Sequence, residues 1–187
     1  GILVLAIGFI LAGLNLVREK ETGTIEQINV TPVRKYQLII AKILPFLIIG
    51  LIDLAIGLGI GKLAFSIPFE GSISLLFFCS ALFLVAVLGL ALLVSTFSST
   101  QQQYMFTGFF FMIIFILMSG IFTPLESMPV WAQKINILNP VVYIMRINRM
   151  VILKGSTFQD IRFDIMALIF FATIFTFLAI NRYRKTA

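Results

Sequence analysis

Five long apolar runs constrain this chain more than any other feature of its sequence. A helix that crosses the hydrocarbon core of a bilayer needs about 20 mostly apolar residues, within a range of roughly 17–25. Runs of that length, each bounded by charged or turn residues, cover approximately 1–17, 38–62, 73–97, 105–122 and 165–181. We therefore predict an all-α polytopic membrane protein in which these five runs are membrane helices.

The composition excludes a water-soluble globule and most of the chemistry of soluble enzymes. Apolar residues make up 60% and charged residues 12% of the chain, whereas soluble domains carry about 45–50% and about 25%. There is no histidine, and Cys79 is the one cysteine, so neither a histidine-based triad nor an internal disulfide is available. We expect no catalytic residue and no metal site, and we interpret Cys79 as a small buried apolar residue.

No nucleotide site is expected in this chain. The run from Gly57 to Gly61 is followed by Lys62, which is similar at first sight to a phosphate-binding loop. Such a loop needs four residues between its glycines and a hydroxyl after the lysine. Here three residues separate the two glycines, and Leu63 follows the lysine. Any ATP chemistry must therefore belong to a partner.

The distribution of positive charge predicts the orientation of the helices. Lys and Arg are enriched in cytoplasmic loops, and the basic segment 18–37 and the basic C-terminal tail lie on one side if all five runs cross. That side is predicted to be cytoplasmic, with the C-terminus inside. The segment 123–164 on the other side carries five basic and three acidic residues, which partly opposes this assignment. We interpret the net charge of +6 as topology and lipid contact, not as nucleic-acid binding.

The charged segment between the first two runs is too polar to enter lipid. Thr24 and Gln27 have the spacing of a capping box, and Gly23 permits a bend before it. Thr31-Pro32 offers an N-cap with proline in the first turn of the next helix. These signals predict a short helix between two membrane helices. The alternatives are an ordinary solvated loop and a rigid docking element that transmits a push from a cytoplasmic partner.

Several motifs along the chain point to one family. They lie in the charged segment, early in the second run, at the end of the fourth run and in the segment after it. The motifs are Arg18-Glu19-Lys20-Glu21, Gly23-Thr24-Ile25-Glu26-Gln27, Thr31-Pro32, Lys42-Ile43-Leu44-Pro45, Ser119-Gly120-Ile121-Phe122-Thr123-Pro124, Ser127-Met128-Pro129-Val130-Trp131 and Asn139-Pro140-Val141-Val142-Tyr143. In sequence and spacing the chain resembles the C-terminal half of the permease subunits of ABC-2 type transporters.

The resemblance implies the permease of an exporter in the bacterial cytoplasmic (inner) membrane. In that family the charged segment is a coupling helix docked on a separate ATPase subunit, which binds ATP and Mg²⁺. Here that helix would be Thr22–Asn29. The residues implied in ATPase coupling are Glu21, Thr22, Gly23, Thr24, Ile25, Glu26 and Gln27.

The resemblance also implies how the chain is organised and what it works with. It implies one membrane domain over 1–187 that lacks its first helix, paired with a second copy or with a homologous permease. Drugs, lipids, polysaccharides, peptides and sodium ions are cargoes of this family, and the apolar runs do not identify which one is carried. Membrane lipids are expected partners, and a periplasmic adaptor is left open.

One carboxylate lies near the middle of the second run. Asp53 in its ionised form would cost about 2.5–3.5 kcal/mol at the centre of a bilayer, so it must face protein or water. Gly50, Gly57 and Gly61 share its helical face, which is small and polar and is predicted to pack against another helix. Two roles for Asp53 stay open, a structural hydrogen bond to a neighbouring helix and a part in lining or gating a cavity.

The segment 123–164 is neither a clean membrane helix nor a hydrophilic loop. Pro124 breaks the preceding helix, and Trp131 begins an amphipathic pattern with Ile135 and Leu138. Asn139-Pro140 predicts the start of a helix too short to cross the membrane. The alternatives are a re-entrant hairpin at the mouth of a pathway and a helix that lies on the outer leaflet; the family resemblance implies the hairpin.

Two arginines follow in this segment, Arg146 and Arg149, three residues apart and therefore on one face of a helix. They are candidates for holding phospholipid head groups or an acidic substrate. The alternative is that both side chains extend to the membrane surface without a specific ligand.

Two other classes of protein compete with this prediction. An ion-coupled secondary transporter or channel normally shows several intramembrane charges or paired broken helices, and Asp53 is the one such charge in the central parts of the runs. An intramembrane hydrolase needs a nucleophile and a base, or two acids, at membrane depth. Dependence on a proton gradient without ATP would favour the first rival, and turnover of a peptide or lipid by the purified chain would favour the second.

Overall fold

The computed structural model describes residues 2–23, 34–65, 70–122 and 124–183, apart from the side chains of Leu3, Phe65 and Glu126. Seven α-helices and one short 3-10 helix, Leu125–Ser127, lie in these ranges, and no strand does. The α-helices are α1 (Ile2–Glu21), α2 (Lys35–Phe65), α3 (Ile73–Phe97), α4 (Gln101–Met118), α5 (Val130–Asn136), α6 (Pro140–Lys154) and α7 (Arg162–Arg182). The prediction of an all-α protein is confirmed for the described part of the chain.

Among the described residues, four helices are long and apolar enough to cross a membrane. They are Lys35–Ala64 within α2, Ile73–Phe97, Gln101–Met118 and Arg162–Arg182. Helix α1 contains residues 2–17 of the first predicted run, but it continues beyond Val17 through four charged residues to Glu21. The count of five membrane helices therefore stays a prediction.

Helix α4 differs from the predicted run 105–122 at both ends. It begins at Gln101 because the Thr100 side chain caps it, accepting a hydrogen bond from the backbone nitrogen of Gln103. It ends at Met118, because Gly120 adopts a left-handed conformation with φ of 80°. The bounds 105–122 are wrong, since a local cap and a glycine decide the ends where hydropathy alone does not.

Helix α3 lies at the centre of the bundle and contacts α1, α2, α6 and α7. Its buried residues occupy all faces of the helix, and Cys79 is among them, as the sequence predicts. Gly89 lets α3 approach α7 closely, since an added Cβ would lie 2.9 Å from the backbone nitrogen of Thr176. A central helix that is apolar on every face is typical of a buried membrane helix.

Helices α1 and α4 also meet at a glycine. The ring of Tyr104 lies over Gly13, where an added Cβ would be 2.0 Å from the ring. The Tyr104 hydroxyl donates a hydrogen bond to the carbonyl oxygen of Phe9, and the two rings stack with centroids 6.4 Å apart. Tyr104 is fully buried, so this contact fixes the position of α4 against α1.

Two helices present apolar faces that no other described element covers. On α2 the exposed residues include Ile48, Ile52, Ile56 and Ile60, which recur every fourth residue. On α4 they include Phe106, Phe109, Phe110, Ile113 and Leu117. Continuous faces of this kind meet lipid or another membrane helix.

Candidate functional site

The charged end of α1 contacts three other helices through three consecutive side chains. We call Glu19, Lys20 and Glu21, with the groups they contact, the charged junction. Glu19 pairs with Lys42 of α2 at 2.6 Å, and Lys42 also donates to the Asn15 side chain at 2.9 Å. The Glu19–Lys42 pair is partly buried, so solvent screens it less than an exposed pair.

Lys20 binds the C-terminal end of α3. Its Nζ donates to the carbonyl oxygens of Ser95 at 2.7 Å and of Ser98 at 3.4 Å. The last carbonyl groups of a helix have no partners within the helix and carry a partial negative charge. Lys20 therefore satisfies these groups with a charge of the favourable sign, although its partial burial lowers the pKa of the ammonium group.

Glu21 binds the N-terminal end of α4 in the complementary way. Its carboxylate accepts hydrogen bonds from the backbone nitrogen of Gln101, at 2.8 Å, and from the Gln101 side-chain nitrogen. These bonds lower the pKa of Glu21, which keeps it ionised at the positive end of a helix. The positive Lys20 thus lies at the negative end of α3, and the negative Glu21 lies at the positive end of α4. Each charge has the sign that its helix end favours.

The chain turns immediately after the junction. The Thr22 hydroxyl donates to the carbonyl oxygen of Arg18 at 2.9 Å, and Gly23 adopts a φ of 73°. The predicted bend at Gly23 is therefore confirmed, because this conformation favours glycine. The other predicted coupling residues, Thr24, Ile25, Glu26 and Gln27, lie outside the described residues, as do the capping box and Thr31-Pro32.

Asp53 lines a cavity of about 400 Å³ between α1, α2, α3 and α6. It makes no hydrogen bond or ion pair with the side chains that the structure describes. Asn148 of α6 lines the same cavity, and its side-chain oxygen is buried without a hydrogen-bond partner among the described residues. Of the two roles left open for Asp53, this geometry favours the lining of a cavity.

The glycine face around Asp53 is packed at one end only. An added Cβ at Gly50 would lie 2.7 Å from the Leu84 side chain of α3, whereas one at Gly57 would meet no described atom within 4 Å. Gly61 is partly exposed. The prediction that the whole face packs against a helix is wrong beyond Gly50, because Asp53 and Gly57 line the cavity instead.

Helix α6, in the segment after α4, begins where the sequence predicts. The Asn139 side-chain oxygen accepts a hydrogen bond from the nitrogen of Val141 at 3.0 Å, and Pro140 is the first residue of α6. Helix α6 continues through Arg146 to Lys154. Its 15 residues extend about 22 Å, which is still less than the roughly 30 Å core of a bilayer.

The amphipathic pattern before α6 faces outward. Trp131, on α5, is 65% exposed, and Ile135 and Leu138 are exposed as well, while Ala132 and Asn136 are buried. Leu138 lies beyond the end of α5, which is Asn136. Pro124 directly precedes the 3-10 helix. An apolar face turned away from the bundle suits a helix at a membrane interface, and both a re-entrant hairpin and an interfacial helix stay open.

Both arginines of α6 are held by the protein. Arg146 pairs with Asp164 of α7, Nη1 to Oδ1, at 3.0 Å, and the Asp164 side chain is only 7% exposed. Arg149 donates from Nη2 to the carbonyl oxygen of Gly120 at 2.7 Å. Both residues are nevertheless exposed, so a ligand site and an extension of both side chains to the membrane surface stay open as alternatives.

Several groups at these sites escape prediction from the sequence. Lys20 and Glu21 act on Ser95 and Gln101, which are 75 and 80 residues away, and no local pattern identifies such partners. Asp164 carries a weak signal, since an acid stands just before an apolar run. The sequence gives no signal for Asn148, because its place in the cavity at Asp53 depends only on how the helices pack.

Known proteins resemble this chain along most of its length. Residues 1–181 match the family described as "ABC-2 family transporter protein". The chain is 38% identical over 148 residues to the probable multidrug ABC transporter permease YbhR of Escherichia coli, covering 79% of this chain and 40% of that protein.

Two further Escherichia coli proteins align over a longer part of the chain. The probable multidrug ABC transporter permease YbhS is 28% identical over 93% of this chain and 46% of its own length. The inner membrane transport permease YhhJ is 28% identical over 96% of this chain and 48% of its own length. The chain thus spans less than half the length of these curated relatives.

Proposed function

Because this chain belongs to the ABC-2 family of transporter proteins, we propose that it is part of the permease of an exporter in the bacterial cytoplasmic membrane. A separate ATPase subunit binds and hydrolyses ATP, and this chain supplies membrane helices of the pathway. The names of the relatives YbhR and YbhS favour drugs as the cargo. The C-terminus lies in the cytoplasm, on the side of the charged junction.

The charged junction is the observation that supports coupling to an ATPase. The end of α1, which leads into the proposed coupling segment, is bonded to α2, α3 and α4 at once. A displacement of the chain beyond Gly23 therefore acts on the ends of four helices together. A flexible loop attached to one helix end would not transmit motion in this way.

The proposed cycle follows from this connection. ATP binding closes a pair of ATPase subunits, and their movement reaches the segment Thr22–Asn29. The charged junction passes the movement to the helices of the bundle, which shifts two permease domains between inward-open and outward-open arrangements. The uncovered apolar faces of α2 and α4 offer area for a second permease, either identical or homologous.

The first test is whether the full-length protein purifies with an ATPase subunit encoded beside it. In mild detergent we expect a stoichiometric complex that hydrolyses ATP, and we expect Glu26→Arg to weaken the association about tenfold or more, as for a central contact of an interface. Glu70→Arg is the matched control, because it is an exposed glutamate at the opposite end of the bundle. Retention of both the ATPase subunit and transport in Glu26→Arg would place the docking surface elsewhere.

Asp53→Asn tests whether the cavity at Asp53 takes part in transport. We expect normal expression but export reduced about tenfold, because the substitution removes the carboxylate from a cavity in which no described group neutralises it. Asp53→Glu keeps the carboxylate and should retain most export. Wild-type export by Asp53→Asn would leave a structural role only.

The same cavity is the observation that keeps an ion-coupled transporter as a second candidate. In that case transport would depend on the proton gradient and would persist without ATP. Measurement of export in vesicles, with the gradient collapsed or ATP withheld, separates the two functions.

A further inference from the structure

A second cavity, of about 480 Å³, lies where α4 ends and runs along α6. Three cations line it, Arg146, Arg149 and Lys154, and none of the described lining side chains is acidic. We call it the cationic cavity. Asp164 pairs with Arg146, whereas Arg149 and Lys154 pair with no acid among the described residues. This excess of positive charge points to an anionic ligand.

The two guanidinium groups are held in place with donors to spare. Arginine has five N–H donors, and the structure gives one bond each for Arg146, to Asp164, and for Arg149, to Gly120. These bonds fix the side chains from behind and leave further donors for a ligand. Lys154 is exposed and makes no hydrogen bond or ion pair with the described residues.

Exposed aromatic residues place the cationic cavity at the level of lipid head groups. Phe122 follows the end of α4, Phe158 precedes α7, Phe163 lies in its first turn and Trp131 is on α5; all four are exposed. Trp is enriched at both membrane–water interfaces, and Phe on the apolar face of interfacial helices lies at the boundary between head groups and acyl chains. The cations thus lie where membrane helices end, near the phosphate groups of one leaflet.

Apart from Ser119, the other side chains that line the cavity are apolar. Val142, Met145, Met150 and Leu153 line it beside the three cations, and Leu153 is largely exposed. A charged end joined to an apolar wall matches an amphiphile that has a phosphate and acyl chains. An inorganic anion would leave this apolar wall without a partner.

We infer that the cationic cavity binds an anionic phospholipid, with its phosphate between Arg146, Arg149 and Lys154 and its acyl chains along α6. The site accounts for three of the five basic residues in the segment 123–164, on the predicted non-cytoplasmic side. The inference depends on neither the exported substrate nor the ATPase.

Native mass spectrometry of the full-length protein in detergent tests this inference. Phosphatidylglycerol and phosphatidylcholine with identical acyl chains are titrated in turn, and we expect the wild type to prefer phosphatidylglycerol. Lys154→Gln should reduce that preference about fivefold, the value of one basic residue near an anionic lipid surface. Lys154→Glu should reduce it further.

Lys134→Gln is the matched control, because Lys134 is an exposed lysine of α5 that does not line the cavity. It should keep the wild-type preference. Equal binding of the two lipids by the wild type, or equal effects of Lys154→Gln and Lys134→Gln, would overturn the inference. Displacement of phosphatidylglycerol by millimolar inorganic phosphate alone would also overturn it, since the site would then recognise the free anion.

Discussion

Gly13→Ala is expected to destabilise the membrane domain by about 1–3 kcal/mol, near the upper end of that range for overpacking. The added Cβ would lie 2.0 Å from the ring of Tyr104, well inside van der Waals contact. The ring cannot move aside easily, because it is fully buried, stacks on Phe9 and donates a hydrogen bond to the Phe9 carbonyl. Helices α1 and α4 must therefore separate.

The measurement is the free energy of unfolding in detergent. Gly8→Ala is the matched control on the same helix, because its added Cβ would make ordinary contacts of 3.5 Å or more with α3 and alanine favours a helix over glycine. We expect this control to be neutral or slightly stabilising. Combining Gly13→Ala with Tyr104→Leu should recover part of the loss, since the ring is then absent. Equal stabilities for Gly13→Ala and Gly8→Ala would show that α1 and α4 do not pack at this glycine.

Lys20→Glu is expected to lower ATP-dependent transport at least tenfold while the ATPase subunit remains bound. The substitution places a carboxylate against the carbonyl groups of Ser95 and Ser98, at the negative end of α3 and beside two other glutamates. Repulsion there should separate the end of α1 from α3. A loss of 1.4 kcal/mol in the connected state corresponds to a factor of ten.

Transport and ATPase retention are measured on the same purified complex in proteoliposomes. Lys35→Glu is the control, because Lys35 is an exposed lysine at the start of α2 with no bond among the described residues. It should behave as the wild type. Wild-type transport by Lys20→Glu would contradict transmission through the junction, and loss of the ATPase subunit would assign Lys20 to docking.

Features that depend on neighbouring residues could be predicted from the sequence. Gly23 bends the chain after α1 and Asn139 caps α6 as expected, because each acts on backbone groups within a few residues. The ends of α4 depend in the same way on Thr100 and Gly120, and hydropathy alone does not locate them because it does not change sharply there.

Features that depend on packing could not be predicted. Gly50 and Gly57 are seven residues apart and lie on one helical face, so the sequence does not distinguish them. In the structure Gly50 contacts Leu84, whereas Gly57 faces a cavity. The pairing of Arg146 with Asp164 depends on how α6 lies against α7. In a bilayer the apolar pattern that orients helices in water is missing, so small residues and polar contacts decide the arrangement, and they become visible only in three dimensions.

The long sequence separation within the charged junction has a consequence for biosynthesis. Lys20 and Glu21 acquire their partners only after 75 and 80 further residues have been added. Chains grow at about 5–20 residues per second, so several seconds pass in which the end of α1 is inserted next to an incomplete bundle. The junction can close only when α4 has emerged, and a truncated or stalled chain would therefore lack the connection through which a cytoplasmic partner could act on it.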